Sequence, residues 1–464
     1  MILPQKRQKS LFSFFMLSFC ILFYLFFAFW DGPFLTPDSS TYIHMSLHRE
    51  PLYSLYLALF RFLFGPEEKQ WLEWAVIGQS LLAAFAAWTI PAFLYEKLSL
   101  KKRMAAALLC FPLAVSLLCR FGAGRQAMYS NGIESEAIAL PLFLLFIRFL
   151  LAYLLETVSA GSPPKAAFSD KNLVLAGITS FLLISTRKQM LCTLVLLVIV
   201  LFAQALYSRR LLRFIGRAFL AVLLILSLSG ALDLSYNALL RGENVRHTGD
   251  SRFLLTMVYY TAERDYGQRM EDPQIQSLFY QIYDTCEAAG YLKNEAPKDW
   301  LGRVNHFGDH YDHIQIDTLR PIVTAYVEEN FPGTETARAI ESDRIMKYMT
   351  QSLLPVCLPA IIGCFFDNLL SGLVTTVAVR TPALVIFSLL LYAGYLFLLI
   401  FLVKKGGRRE VTAFSALVLI SILVNVGVVS AVIFCQSRYT IYNMPLFYMS
   451  GLLMLTESCR ILKK

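Results

Sequence analysis

The sequence predicts an all-α polytopic membrane protein with about ten transmembrane helices, re-entrant or interfacial segments and a mainly helical extracytoplasmic domain. Of its 464 residues, 56% are hydrophobic, and the mean hydropathy is +0.54. A soluble core does not need so much apolar sequence, and several apolar runs reach about 20 residues, the length of a bilayer span. Basic clusters between these runs and one acidic polar block then set the predicted topology.

Ten apolar segments are predicted to cross the membrane completely. They comprise residues 11–30, 71–95, 104–120, 137–155, 172–186, 189–207, 218–236, 382–403, 411–434 and 440–457. The positive-inside rule places five basic clusters, and therefore both termini, in the cytoplasm. These clusters are residues 6–9, 97–103, 208–217, 404–409 and 460–464. Because no small-residue cleavage site follows the first span, we interpret that span as retained rather than as a signal peptide.

Two further apolar segments are predicted not to cross. Residues 353–373 are apolar enough for an eleventh span, but a full crossing would move the basic cluster at 404–409 to the outside. Pro355 and Pro359 also interrupt this segment. We predict a re-entrant or interfacial hairpin there, and the same for residues 51–65. Broken backbone at membrane depth is tolerated only against protein or a water-filled cavity.

A polar block at residues 237–350 divides the chain. It holds 12 Lys and Arg against 18 Asp and Glu, a net charge of −6, while the whole chain carries +9. This asymmetry predicts an extracytoplasmic domain at 237–350. It would lie between an N-terminal transmembrane module, residues 1–236 with a first loop at 31–70, and a C-terminal one, residues 351–464. The positive charge is spread over cytoplasmic loops, which excludes nucleic acid as a partner and favours contact with membrane lipid.

Three helices are predicted inside the polar block from capping residues and apolar spacing. One begins at Asp272-Pro273 and ends near Gly290, a second runs from Arg320-Pro321 to Pro332, and a third begins at Thr334. The nine cysteines are scattered and include no CxxC pair. They therefore indicate neither a disulfide framework nor a zinc site.

Charged and aromatic residues collect on the predicted extracytoplasmic face. The candidate site residues are Asp38, Tyr42, Arg49, Glu50, Glu134, Glu136, Arg187, Lys188, Arg438 and Tyr439. Arg187 and Lys188 violate the positive-inside bias, so either they bind a functional anion or they reach lipid headgroups. Asp38 lies where the chain leaves the first span, and it could either act chemically or cap a short helix.

With these residues the chain resembles the polytopic GT-C glycosyltransferases, which take sugars from polyprenyl-phosphate carriers. Protein mannosyltransferases and lipid A aminoarabinose transferases are the similar relatives. The matching stretches are residues 37–42, 49–53, 134–136 and 184–187, with a weaker match at Arg438-Tyr439 and Pro445. Many members have an acidic pair in the first loop, whereas Ser39 follows Asp38 here, which argues against a metal role for this loop.

The resemblance implies a membrane glycosyltransferase, a hexosyl- or pentosyltransferase with a catalytic first loop. It would move a sugar from a polyprenyl-phosphate carrier to a hydroxyl of a glycan, lipid or protein. We expect it in a bacterial plasma membrane with the active site on the extracytoplasmic face. The resemblance implies that Asp38 is the catalytic base and that Arg187, Lys188 and Arg438 bind the carrier phosphate. We expect the remaining candidates to bind substrate, namely Tyr42, Arg49, Glu50, Glu134, Glu136 and Tyr439.

The proposed chemistry is consistent with these residue types. A carboxylate can take the proton of an acceptor hydroxyl as the new bond forms. Glycosyl transfer passes through an oxocarbenium-like state, and fixed Arg or Lys side chains can stabilise the departing phosphate.

Two other functions are compatible with the sequence. A polysaccharide polymerase or ligase also uses lipid-linked glycans and would explain the external arginines. A membrane transporter would show repeated halves and charges in the middle of its spans, and neither feature is prominent here.

A histidine cluster lies in the polar block. His306, His310 and His313 would share a helix face, and three imidazoles on one face could bind a divalent transition metal. The alternative is a solvated acidic loop with incidental histidines, because the spacing matches no standard zinc signature. No other cofactor is predicted.

Overall fold

The computed structural model describes residues 5–122, 126–160, 170–208 and 211–463. Over these ranges the chain forms α-helices joined by short loops and 3₁₀ turns, with one π-helical stretch at His313–Leu319 and no strand. Arg209 and Arg210, which belong to one of the predicted basic clusters, lie outside the described residues.

The α-helices are numbered in chain order. The first nine are α1 (Gln5–Asp31), α2 (Ser39–Ile43), α3 (Pro51–Phe64), α4 (Glu68–Lys97), α5 (Lys102–Gly122), α6 (Glu136–Ala160), α7 (Lys171–Ile184), α8 (Cys192–Ser208) and α9 (Leu211–Arg241). The remaining nine are α10 (Ser251–Thr261), α11 (Pro273–Ala288), α12 (Trp300–Asp312), α13 (Arg320–Asn330), α14 (Glu335–Val377), α15 (Pro382–Lys404), α16 (Arg409–Ser430), α17 (Ser437–Thr440) and α18 (Met444–Leu462).

Nine helices in the described ranges are long and apolar enough to cross a membrane: α1, α4, α5, α6, α8, α9, α14, α15 and α16. The prediction of an all-α polytopic membrane protein is therefore confirmed. Eight of these helices coincide with predicted spans. The predicted span at 172–186 corresponds to the shorter α7, the one at 440–457 corresponds to α18, and α14 was not predicted to cross.

The chain divides into two units. The first comprises Met1–Tyr236, Leu390–Asn425 and Ile441–Lys464. In it, α4 packs against α1, α3, α5 and α6. Buried Ala84 and Ala87 on α4 face Cys20 and Tyr24 of α1 in one apolar cluster. Small side chains allow helix backbones to approach closely, the usual basis of helix association in membranes.

The second unit comprises Asn237–Leu389 and Val426–Thr440, so it extends beyond residue 350, where the predicted domain ends. Helices α10–α13 pack around the first two thirds of α14, and Tyr259, Phe279, Val323 and Met349 are completely buried there. The predictions for α11 and α13 are confirmed. The Asp272 carboxylate accepts from the first turn of α11, and proline lies at the start of both helices.

The hairpin shape predicted for residues 353–373 and 51–65 is wrong. Residues 353–373 lie within α14, a single helix of 43 residues with Pro355 and Pro359 inside it, and residues 51–64 form the single helix α3. Leu353, Cys357 and Ile361 are spaced four residues apart and are buried in the core of the second unit. This packing stabilises the helix across both prolines, since tertiary contacts outweigh local propensity.

Candidate functional site

Asp38 occupies the N-cap position of the short helix α2, but its carboxylate makes no capping hydrogen bond. It accepts instead from Arg49 Nη2 at 2.5 Å. The exposed fractions are 29% for the Asp38 side chain and 18% for that of Arg49. The carboxylate is therefore held by an arginine at the edge of the first loop, and the capping alternative for Asp38 is wrong.

The Arg49 guanidinium is fixed on several sides. Its Nε donates to Thr41 Oγ1 at 2.8 Å, and its Nη1 donates to the Tyr42 hydroxyl at 3.3 Å. The guanidinium carbon also lies 4.5 Å from the centroid of the Tyr42 ring, a cation–π contact. Burial opposes the charge, but Tyr42 and Asp38 together raise the pKa of Arg49 above its ordinary value. Arg49 is therefore a permanent cation that positions Asp38.

Hydrogen bonds continue from Tyr42 to a buried ion pair. The Tyr42 hydroxyl donates to Ser135 Oγ at 3.0 Å, and Ser135 Oγ donates to Glu136 Oε2 at 3.3 Å. The other Glu136 oxygen pairs with Arg187 Nη1. Burial raises the pKa of Tyr42 to about 12, so this hydroxyl remains a neutral donor. The first loop, the start of α6 and the turn before α8 thus share one polar chain.

Glu136 is the first residue of α6 and is completely buried. A carboxylate at a helix N-terminus is stabilised by the helix dipole, and the Arg187 side chain, only 12% exposed, supplies the counter-charge. A buried carboxylate without such a partner would be strongly destabilising. The Glu136–Arg187 pair is therefore a structural element of the site.

A second link joins the first loop to the turn between α7 and α8. The Glu50 carboxylate accepts from the backbone N–H of Lys188 at 2.7 Å, and Leu52 N donates to Ser185 O at 3.0 Å. The Lys188 side chain is exposed. The structure thus brings together seven predicted site residues of the first unit: Asp38, Tyr42, Arg49, Glu50, Glu136, Arg187 and Lys188.

Glu134 is also buried, in the segment before α6. A Cβ atom on Gly132 would lie 2.7 Å from its Oε1, so any larger residue at that position would displace the Glu134 side chain. Nearby, the Tyr53 hydroxyl donates to Gln79 Oε1 at 2.8 Å, and Gln79 Nε2 donates to Ser130 O at 3.1 Å.

Sequence reasoning missed Gln79 and Ser135. Gln79 is a buried amide within the long apolar helix α4, and such a group is unfavourable unless it is hydrogen-bonded. That contrast with its neighbours is a signal that could have identified it. Ser135 carries no such signal in the sequence. Its hydroxyl connects Tyr42 to Glu136 by hydrogen bonds, which only the structure shows.

A narrow cavity of about 70 Å³ lies beside Glu136 in the first unit. Its lining is mainly apolar and includes Pro141 of α6, Pro112 of α5 and Pro445 of α18, with Tyr24 of α1. The buried end of the polar chain therefore adjoins an apolar pocket among the membrane helices.

Arg438 and Tyr439 belong to the second unit, in the short helix α17. The Arg438 guanidinium carbon lies 5.5 Å from the centroid of the Tyr439 ring.

The three histidines also lie in the second unit, but the structure does not support a metal site there. Among the described residues, their ligand nitrogens do not all come within 4.8 Å of one another. His306 Nδ1 and Nε2 contact the Tyr260 hydroxyl and Gly290 O, both at 3.2 Å. His313 Nδ1 lies 2.7 Å from Asp317. Protein groups therefore contact both ring nitrogens of His306, the two atoms through which it could bind a metal.

A second Asp–Arg pair occurs in the first unit. Arg120 donates to both oxygens of Asp31, at 2.6 and 2.7 Å, and its guanidinium carbon lies 4.5 Å from the Phe121 ring centroid. Asp31 ends α1 and is only 8% exposed. This pair resembles the Asp38–Arg49 pair but is not part of the polar chain described above.

No protein-family model matches the chain, and comparisons with curated proteins and with solved structures also give no match.

Proposed function

We propose that the protein is a membrane glycosyltransferase that moves a sugar from a polyprenyl-phosphate carrier to an acceptor hydroxyl on the extracytoplasmic face. The observation that supports this most is the polar chain of the first unit. It joins a partly exposed Asp38–Arg49 pair to the buried Glu136–Arg187 pair through Tyr42 and Ser135. Such a constellation at the end of a membrane helix suits a reaction on a lipid-linked substrate.

Asp38 is the catalytic base in this proposal. Arg49 orients its carboxylate through a hydrogen bond of 2.5 Å, at a position 29% exposed where an acceptor could reach it. The acceptor hydroxyl transfers its proton to Asp38 while its oxygen bonds to the anomeric carbon. The bond between that carbon and the carrier phosphate breaks, and the carrier leaves as a phosphate monoester.

Lys188 is the stronger of the two neighbouring candidates for the departing phosphate. Its side chain is exposed, whereas that of Arg187 is only 12% exposed and lies against the buried Glu136. A flexible ammonium can follow the growing charge on a phosphate as a point charge.

Lipid extracts provide a test that requires no knowledge of the sugar or acceptor. Cells that lack the protein should accumulate one polyprenyl-phosphate sugar, and the wild-type protein should remove it. Asp38→Asn keeps size and most hydrogen bonding but removes basicity, so turnover should fall by about 10²–10⁴. Mass spectrometry of the extracts measures both effects.

Asp31→Asn is the matched control, because it also weakens an Asp–Arg pair in the first unit. It should lower the amount of folded protein without a comparable loss of turnover per folded molecule. Near-normal clearance of the lipid by Asp38→Asn would refute the base assignment. Unchanged lipids in cells without the protein would refute the proposed function itself.

A further inference from the structure

Helix α14 carries an exposed apolar stripe. Leu358, Ile362 and Phe366 are 46%, 48% and 61% exposed, and their spacing of four residues places them in line on one helix face. The other exposed positions between residues 355 and 366 are Pro355, Pro359 and Gly363, so this face has no polar side chain. A continuous apolar face of this kind indicates an interaction surface.

The opposite face of α14 is already occupied. Leu353, Cys357, Ile361 and Cys364 are buried in the core of the second unit. The apolar stripe therefore points away from the polar block, and whatever covers it comes from outside this core.

Charged residues of the polar block lie beside the same stretch of α14. Lys293 Nζ donates to Ala360 O at 3.3 Å, and Arg303 donates to both oxygens of Asp367 at 2.7 and 2.8 Å. Glu295, between these two basic residues in sequence, is exposed. If residues 360–367 crossed the hydrocarbon core, these charges would enter it too, which is strongly unfavourable.

The part of α14 beyond Asp367 is too short to cross by itself. From residue 368 to Val377, where the helix ends, the chain covers about 15 Å at about 1.5 Å per residue. The hydrocarbon core is about 30 Å thick. Although its length and composition would permit a span, its packing prevents α14 from crossing.

We propose that α14 lies on the bilayer surface, on the same side as the polar block, with Leu358, Ile362 and Phe366 inserted among the lipids. The phospholipid bilayer covers this apolar stripe. Exposed apolar surface is also present on α15, which is long enough to span and whose apolar segment is only 11% buried within the protein. The chain therefore enters the membrane at α15.

Sidedness of labelling gives the first test. Glu295→Cys and Val379→Cys, both at exposed positions, are placed in the full-length protein with Cys110→Ser and Cys459→Ser, which remove the two exposed natural thiols. A membrane-impermeant maleimide is added to sealed vesicles of known orientation. Both cysteines should react from the same side. Reaction from opposite sides would show that α14 crosses and would overturn the proposal.

Photo-crosslinking gives the second test and identifies the occupant. The photoreactive residue p-benzoylphenylalanine replaces Ile362, Phe366 or, as the solvent control, Glu295. The protein is irradiated in liposomes of radiolabelled phosphatidylethanolamine and phosphatidylglycerol. The first two positions should acquire lipid label and the control should not. Equal labelling at all three positions, or crosslinks to a second copy or another protein in place of lipid, would contradict a bilayer occupant. Neither test depends on glycosyltransferase activity.

Discussion

Arg187 and Lys188 are neighbours in sequence, yet the structure gives them different environments. Arg187 pairs with the buried Glu136 carboxylate, whereas the Lys188 side chain is exposed. Removing one partner of a buried ion pair leaves an uncompensated charge, so Arg187→Ala should lower the free energy of unfolding by about 3–5 kcal/mol. Lys188→Ala should change it by less than about 0.5 kcal/mol, as is usual for an exposed residue. Unfolding measured in detergent compares the two.

Lys188→Ala should instead weaken donor binding. If its ammonium contacts the carrier phosphate, the loss is about 1.5–3 kcal/mol, the worth of a charge-assisted hydrogen bond. Titration of the purified protein with a polyprenyl-phosphate sugar measures this. Lys101→Ala, which removes another exposed lysine at a predicted cytoplasmic loop, is the control. Equal and small effects of both substitutions would contradict the phosphate role.

His310 makes the second unit sensitive to acid. Burial, with the neighbouring His306 and His313, lowers the pKa of His310, although Asp309 opposes the shift. The unfolded chain therefore binds a proton more readily than the folded protein, and the free energy of unfolding falls as the pH drops below the ordinary histidine pKa of about 6.5.

His310→Gln removes this titration. Its unfolding midpoint should fall less between pH 7 and pH 5 than that of the wild-type protein. Melting curves at the two pH values provide the comparison, and His44→Gln, which changes an exposed histidine of the first unit, is the control. An identical fall for His310→Gln and wild type would contradict the inference.

At the scale of helices, two glycines inside helices, Gly308 and Gly363, have different surroundings. A Cβ atom on Gly308 of α12 would lie 2.4 Å from the ring of the buried Phe434. Gly308→Ala should therefore destabilise the second unit by about 1–3 kcal/mol through overpacking. On Gly363 of α14 the nearest atom is Lys293 Nζ at 3.9 Å, so Gly363→Ala should stabilise by about 0.4–1 kcal/mol. Chemical unfolding measures the free energy of unfolding of both variants, which should fall for Gly308→Ala and rise for Gly363→Ala. A rise for both would contradict the prediction.

Helices whose signals are local in sequence could be predicted, whereas those that depend on distant contacts could not. The starts of α11 and α13 follow from Asp272-Pro273 and Arg320-Pro321, because caps and prolines act locally. Nothing in the local sequence explains Gly308 inside α12, since glycine is required there by the close approach of Phe434, which is distant in sequence. The hairpin at 353–373 failed for a related reason. Pro355 and Pro359 are visible locally, but the core that keeps α14 continuous across them is not.

At the scale of the whole molecule, the sequence predicted which loops lie together but not how their side chains pair. Convergence of the first loop, the start of α6 and the turn before α8 follows from topology alone. The partners Asp38–Arg49 and Glu136–Arg187, and the Ser135 hydroxyl between them, depend on side-chain packing that periodicity and charge counts do not describe. The three histidines show the same limit, because helical spacing does not direct their ring nitrogens to one point.

The surface position proposed for α14 determines on which side of the membrane the following helices and loops lie. With the polar block outside and α14 not crossing, α15 runs inward and the basic loop at 404–409 lies in the cytoplasm, as the positive-inside rule requires. Lys405→Cys, at an exposed position before the turn at Gly406, should therefore react with an impermeant maleimide only in inverted vesicles. A fluorescent protein fused after Lys464 tests the predicted cytoplasmic C-terminus independently. Reaction of Lys405→Cys in right-side-out vesicles would contradict the topology, because it requires α14 to cross despite the charges packed along it.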